Sequence, residues 1–383
     1  MKLQKTHLAA AVGVALSALG SAAVAQAPAP VSVQLYGQVS RTMMFADDGT
    51  QSKWFNVDNE ASGTRVGVTG TGAVMPGLRA GFRLEWDFQS NESQRATFGP
   101  ANPASDNPAH TPGSGFSERH ADAWLEGAWG RVNIGQGDGA SNGATESDLS
   151  GTGMANGIGV ADIGGGFQYR TAAGALSGLT VGTSINQQDF ESRYDRLMYV
   201  TPTFGGFRAQ ASMGQKAGGA AVGTVGGTLD VLEASLWYGG KLGGLGDIAA
   251  AVGWSRKDAA PGLTEDEYIG GSISWLHGSG INLTYSYSNR DNPAPIGAAV
   301  RDSTFNYFKV GYKFGTHAIA VDYAMGDDFA TVGDEAKMFG IGYVWNPIRW
   351  LELYAAYKIH EMDVAAGSLE DVKIGHIGTR VRF

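Results

Sequence analysis

The chain has 383 residues, a formal net charge of -9, no cysteine and 58 glycines. Glycine at that level fits helices poorly, at about 1 kcal/mol per residue relative to Ala, and suits a chain with many turns. The cysteine count excludes a disulfide framework, and the acidic balance argues against a nucleic-acid partner.

Residues 1–25, MKLQKTHLAAAVGVALSALGSAAVA, place Lys2 and Lys5 before an apolar run that ends in Ala23-Val24-Ala25. This pattern predicts a secretory signal peptide cleaved after Ala25, because the later Ala25-Gln26-Ala27 option puts Pro28 beside the cut. The run is shorter than the roughly 20 apolar residues a membrane helix needs. Losing the two lysines takes the formal charge from -9 to -11. Residues 26–383 then read as one domain. With a mean hydropathy of -0.14, the chain would pass for a soluble secreted protein.

Taken in chain order, the mature sequence is a succession of alternating segments. VQLYGQVSRTMMF (33–45) sets Val33, Leu35, Val39, Met43 and Phe45 against Gln34, Gln38, Ser40 and Thr42. GLRAGFRLEWDF (77–88) sets Leu78, Ala80, Phe82, Leu84, Trp86 and Phe88 against Arg79, Arg83, Glu85 and Asp87. DIAAAVGWSRK, DEYIGGSISWLH, GINLTYSYSNR, TFNYFKVGYKF, THAIAVDYAM, AKMFGIGYVWN and WLELYAAYKIHE follow, each of 10 to 12 residues. EDVKIGHIGTRVRF (370–383) closes the chain, with Gly375, Ile377, Val381 and Phe383 against His376, Arg380 and Arg382. Alternation puts the two sets on opposite faces of a strand, and a tilted strand crossing a bilayer needs about 9 to 11 residues.

Two kinds of connection alternate between these segments. Tight ones include MPG (75–77), WGR (129–131), FGT (314–316) and WNPIRW (345–350), often beside an aromatic. Long polar ones include 89–118, 215–227, 290–302 and 326–335. A meander with short turns at one end and long loops at the other has the asymmetry of outer-membrane barrels. A sandwich would need a second sheet over every apolar face, and no repeat of propeller length is present. With no helices to cover those faces, lipid is the simplest partner, and only a closed barrel satisfies the backbone there.

The expected fold is therefore all-β: a closed antiparallel transmembrane β-barrel of 16 to 18 strands. The segments count to 18, or to 16 if one hairpin between 165 and 215 is misread. An even number follows from both chain ends lying in the periplasm.

Several segments resemble the Gram-negative general porins, the trimeric diffusion channels of the outer membrane. They are LYG (35–37), SGTRVGVTG (62–70), GLRAGFRLE (77–85), RHADAWLEG with GRVNIGQG (119–137), RLMYVTPTFGGFRAQAS (196–212) and the C-terminal Phe383. The resemblance implies a homotrimer in the cell outer membrane, with lipid and lipopolysaccharide around it, that passes small hydrophilic solutes and ions. It also implies that Phe383 is the mark read by the outer-membrane assembly machinery. An inward-folded third external loop would narrow the pore opposite an arginine-bearing wall. Position for position, Arg65, Glu85 and Arg119 match the wall, and parity adds Arg79, Arg83 and Asp87.

Arg119 raises a conflict. If it points inward, strict alternation sends Asp122 and Glu126 outward, so either a bulge resets the register or those acids sit in a subunit interface. The third loop is expected at 137–166, with Glu146 and Asp148 as first candidates for the constriction and Asp162 as second. Rows of guanidinium groups, charged at any relevant pH, facing carboxylates would set up a transverse field. The simpler alternative is that Arg79 and Arg83 only neutralise Glu85 and Asp87.

Other chemistries find little support. Gly139-Ala140-Ser141-Asn142-Gly143 fits G-x-S-x-G but lacks the helix that a nucleophile elbow needs. The seven histidines show no metal-ligand spacing, so no metal or cofactor is expected. Asp47-Asp48 and Asp327-Asp328 read as solvated rim charges or a divalent-ion bridge to lipopolysaccharide. A sugar-selective channel would need an aromatic track, for which Trp237, Tyr285, Tyr287 and Tyr307 are candidates. A structural barrel with a plugged pore is the third reading.

Overall fold

The computed structural model describes residues 31–99, 117–217, 228–259 and 261–383. The expected signal peptide lies outside the described residues, as do parts of the long connections 89–118 and 215–227. The strands are β1 (Ser32–Asp47), β2 in two pieces (Ser52–Asp58 and Arg65–Met75), β3 (Leu78–Asp87), β4 (Ser117–Gly127), β5 (Gly130–Asp138), β6 (Arg193–Val200), β7 (Phe207–Ala217) and β8 (Thr228–Lys241). They continue with β9 (Asp247–Lys257), β10 (Asp266–Leu276), β11 (Ile281–Asn292), β12 (Arg301–Phe314), β13 (His317–Asp327), β14 (Glu335–Ile348), β15 (Leu351–Val364) and β16 (Val372–Arg382).

Each strand pairs antiparallel with the next, and β16 pairs with β1, with Val39 opposite Val381, so the sheet closes on itself. Eighteen segments belong to this sheet, but the two pieces of β2 lie end to end along β1 and Gly367–Ser368 only extends the β15 hairpin. Sixteen strands therefore cross, the lower end of the expected range. The stretch 165–215 makes the difference. Gln168–Arg170 and Leu176–Thr180 form a separate two-stranded hairpin, too short to span a bilayer.

Outward positions carry the apolar band. Ile319, Val321, Phe339 and Ile341 on neighbouring strands are all exposed on the outer face. Tight links such as Pro76-Gly77 mark one end, where Gly77 takes φ +81°. Aromatics gather there: His317 stacks on Phe314 at 5.3 Å and on Trp345 at 6.0 Å, as amphipathic rings do at a membrane boundary. Both strand ends meet at this rim, where Phe383 and Gly37 exchange two backbone hydrogen bonds of 3.0 Å.

The largest apolar cluster lies inside the barrel. Met44, Phe55, Phe305, Met338, Met362 and Ile374 point inward from the wall. They pack against Ile158, Val160, Ile163, Phe167, Tyr169, Val181 and Ile185 of the β5–β6 connection. That connection spans 139–192, not 137–166. It is the third connection at the long-loop end, folded inward as expected, and its second half carries the short hairpin.

Candidate pore constriction

Cross-strand register sets the wall. Arg65 faces Asp87, Gly67 faces Glu85 and Thr69 faces Arg83, so these residues share one face. Gly67 leaves room for the Tyr36 ring to lie across it, since a Cβ there would come within 2.3 Å of that ring. Tyr36 donates to Glu85 at 2.8 Å and accepts from Arg83 at 2.9 Å. Glu85, only 1% exposed, also meets Arg83 at 2.8 Å, Arg119 at 2.8 Å and Arg65 at 3.7 Å, while Arg119 reaches Asp87 at 3.1 Å. Three guanidiniums thus surround two carboxylates, and the cluster keeps one net positive charge.

Arg119 joins this cluster through a β-bulge. Glu85 pairs with His120 and Trp86 pairs with Glu118, so Arg119 is the extra residue. The shift resolves the sequence conflict, because Asp122 then faces Arg83 and Glu126 faces Arg79 on the lumen side. Asp122 pairs with Arg196 at 2.8 Å and Glu126 with Arg131 at 2.6 Å. Arg79 stands apart from the cluster and donates to Thr71 at 3.2 Å.

The third loop is held to the wall by small hydroxyl side chains. Ser212, Ser272 and Ser274 accept from the loop amides of Ala140, Ser147 and Leu149 at 2.8 to 2.9 Å. Ser272 and Ser286 donate to the carbonyls of Ala144 and Thr145, each at 2.7 Å. Gly253 lets the backbone come close, since a Cβ there would lie 2.8 Å from Phe190 and 2.9 Å from Ser141. Ser141 is fully buried and donates to the carbonyls of Ala234 and Trp254. Its hydroxyl is therefore a fastener, not a nucleophile.

The three loop acids separate in role. Asp148 forms an ion pair of 2.7 Å with Lys309, whose side chain is fully buried. Glu146 accepts from Gln187 at 2.9 Å and otherwise faces the lumen. Asp162 makes no ion pair among the described residues. Enclosure inside the barrel pushes both the Glu146 and Asp162 carboxyls up, and the charge of Glu146 adds to the shift at Asp162. All three acids line a cavity of about 470 Å³ whose other side is Glu352, Arg380 and Arg382. Arg382 and Glu352 meet at 2.7 Å, and Arg380 also donates to Glu352.

Arg380 and Arg382 are the residues that the sequence reading left out of the site. Alternation of the last strand had already put both on the polar face, which was signal enough to include them. The aromatic track does not assemble. Tyr285 and Tyr287 are on the outer face, and Tyr307 is fully buried against Asp322 and Asn156. Trp237 alone of the four stands at open lumen space. At the rim, Asp48 is committed to Arg170 at 2.7 Å and Asp328 to the amide of Gly333.

A family model described as Gram-negative porin matches residues 9–364. No curated protein matches the chain. Among solved structures, the anion-selective porin of Comamonas acidovorans superposes with a TM-score of 0.66 at 20% identity, covering 92% of this chain and 100% of that one. OmpF of Salmonella typhi, solved with daunomycin, gives 0.60 at 14% identity over 92% and 97%. OmpT of Vibrio cholerae in trimer form gives 0.56 at 15% identity over 92% and 99%. The match over most of the length, on a closed barrel with an inward-folded third loop, places the chain in the family of Gram-negative porins.

Proposed function

We propose that the narrowest passage of this channel lies between Glu146 and Asp162 of the third loop and Arg380 and Arg382 of β16. The protein is an outer-membrane barrel for passive diffusion of small hydrophilic solutes, and family and fold point to a channel rather than an enzyme. The carrying observation is the cavity of about 470 Å³ in which loop acids and wall arginines face each other. Fixed charges of opposite sign across a water gap order polar solutes and disfavour apolar ones. Arg65, Arg83 and Arg119 would contribute one net charge around Glu85 and Asp87 from the neighbouring wall, and of the two arginines for which plain neutralisation was the alternative, Arg83 meets Glu85 while Arg79 meets Thr71.

The test is ion selectivity in planar bilayers. Removing the loop charges with Glu146→Gln and Asp162→Asn should move the reversal potential towards anions. Arg380→Gln with Arg382→Gln should move it towards cations. If neither pair moves it, the eyelet lies elsewhere.

A general channel is favoured over a sugar-selective one because the aromatic residues are not aligned along the lumen. We also read the assembly as a homotrimer, in line with the trimer form among the fold relatives. Arg41, partly exposed on the outer face and 2.7 Å from the buried Asp58, supports this reading, because a guanidinium there is better placed at a subunit contact than in lipid. A detergent-extracted mass of one chain would count against it. Phe383 would mark the chain for assembly, and deleting it should lower the barrel yield in the membrane.

A further inference from the structure

A second chamber, of about 950 Å³, lies on the other side of the wall cluster. Thr201, Pro202 and Thr203 of the β6–β7 turn line it, so it opens at the short-turn end, and Gly139 and Asn142 of the third loop bound it within. Its walls carry Arg79, Arg83, Arg131, Arg196 and Arg208 against Asp122, Glu126 and Asp138, a surplus of two positive charges.

The surplus can be located. Arg131 and Arg196 are tied to Glu126 and Asp122 of the chamber, at 2.6 and 2.8 Å, Arg83 to Glu85 of the wall cluster at 2.8 Å, and Asp138 lies 3.5 Å from Arg193. Among the described residues, Arg79 and Arg208 have no carboxylate partner, and both are exposed to the chamber. Two indoles stand beside arginines of the chamber, one of them beside an unpaired one. The Arg131 guanidinium lies 4.2 Å from the Trp124 ring centroid, and that of Arg208 lies 5.6 Å from Trp237. The register seats Trp237 directly opposite Arg208, and both point into the lumen.

We propose that this vestibule is a weak binding site for aromatic carboxylates. The unpaired forks of Arg208 and Arg79 offer the planar, two-pronged donor geometry that a carboxylate accepts. Trp237 offers a flat face to a ring attached to it, whereas the Trp124 ring is already covered by Arg131 and by the backbone at Gly81. A chamber of this volume admits a single-ring solute with its water, and occupancy stays brief because the mouth is open. Such a site slows these anions on their way through and does not replace diffusion. It is separate from the eyelet, so it stands or falls independently of which acids line that eyelet.

Single-channel current with benzoate, cyclohexanecarboxylate or acetate in the bath on the short-turn side tests this directly. Benzoate should interrupt the wild-type current at the lowest concentration, with cyclohexanecarboxylate weaker and acetate weakest. Measured against each variant's own open-channel current, Trp237→Leu and Arg208→Gln should each raise the half-blocking benzoate concentration at least about threefold. Trp237→Phe should keep most of the block. Equal effects of the three acids on the wild-type channel would overturn the proposal without recourse to any variant. So would a benzoate block that Trp237→Leu and Arg208→Gln both leave unchanged.

Discussion

Asp148→Asn isolates what the ion pair with Lys309 contributes to loop docking. The Lys309 side chain is fully buried, and Asp148 meets it at 2.7 Å while also accepting from the amide of Ser150 at 2.8 Å. Removing one member of a buried pair leaves an uncompensated charge, at a cost of about 3 to 5 kcal/mol. The lower end applies, because Asp322 lies directly across the strand pair from Lys309. A loss of about 3 kcal/mol changes the ratio of docked to released loop by about 150-fold. The loss falls on loop against wall and leaves the barrel ladder intact. Single-channel records of Asp148→Asn should therefore become noisy, and proteases should reach residues 139–192 more readily. Adding Lys309→Met should quieten the channel again, because an apolar replacement of both partners is close to neutral. The double variant removes one charge of each sign, so its reversal potential should match the wild type. A quiet Asp148→Asn channel, or a double variant as noisy as the single one, would refute the reasoning.

Glu85→Gln should make the channel more anion-preferring, because three guanidiniums lose the carboxylate they share; a reversal potential in a salt gradient reads the change. Gly253→Val should loosen the third loop by about 1 to 3 kcal/mol, since Phe190 and Ser141 must both move away from the new side chain, and protease accessibility of the loop measures it. Acidification should raise the anion preference at a pH above the ordinary carboxylate range. Glu146 and Asp162 are pushed up, so they become neutral, and the loop less negative, earlier than free carboxyls as the pH falls. Selectivity of the Glu146→Gln, Asp162→Asn channel should show a flatter pH profile.

The barrel was legible in the sequence because alternation has a period of two and turn residues punctuate it. Arg65, Arg83, Glu85 and Asp87 kept the face their parity assigned. Arg119 did not follow simple parity, because a bulge is a single extra residue that leaves no mark in composition. The extent of the third loop was hidden for a related reason. Its second half contains a hairpin whose alternation imitates two more crossings, and only its length of three and five residues disqualifies it. The inner apolar cluster escaped notice because the lumen side was assumed polar. Phe305 and Tyr307 share a strand with outward Phe308 and Val310, and apolar residues on both parities were the available clue.

That inner cluster gives the molecule two apolar surfaces in different solvents. The outer band is matched to acyl chains, and excluding water does not hold it together once the barrel is in a membrane. The inner cluster is an ordinary hydrophobic core bordered by an aqueous passage, so its strength follows water structure, temperature and chaotropes. The two should therefore fail separately. Urea entering through the lumen attacks the loop's anchorage at concentrations that leave the strand ladder untouched, whereas a change of bilayer thickness strains the ladder and spares the loop.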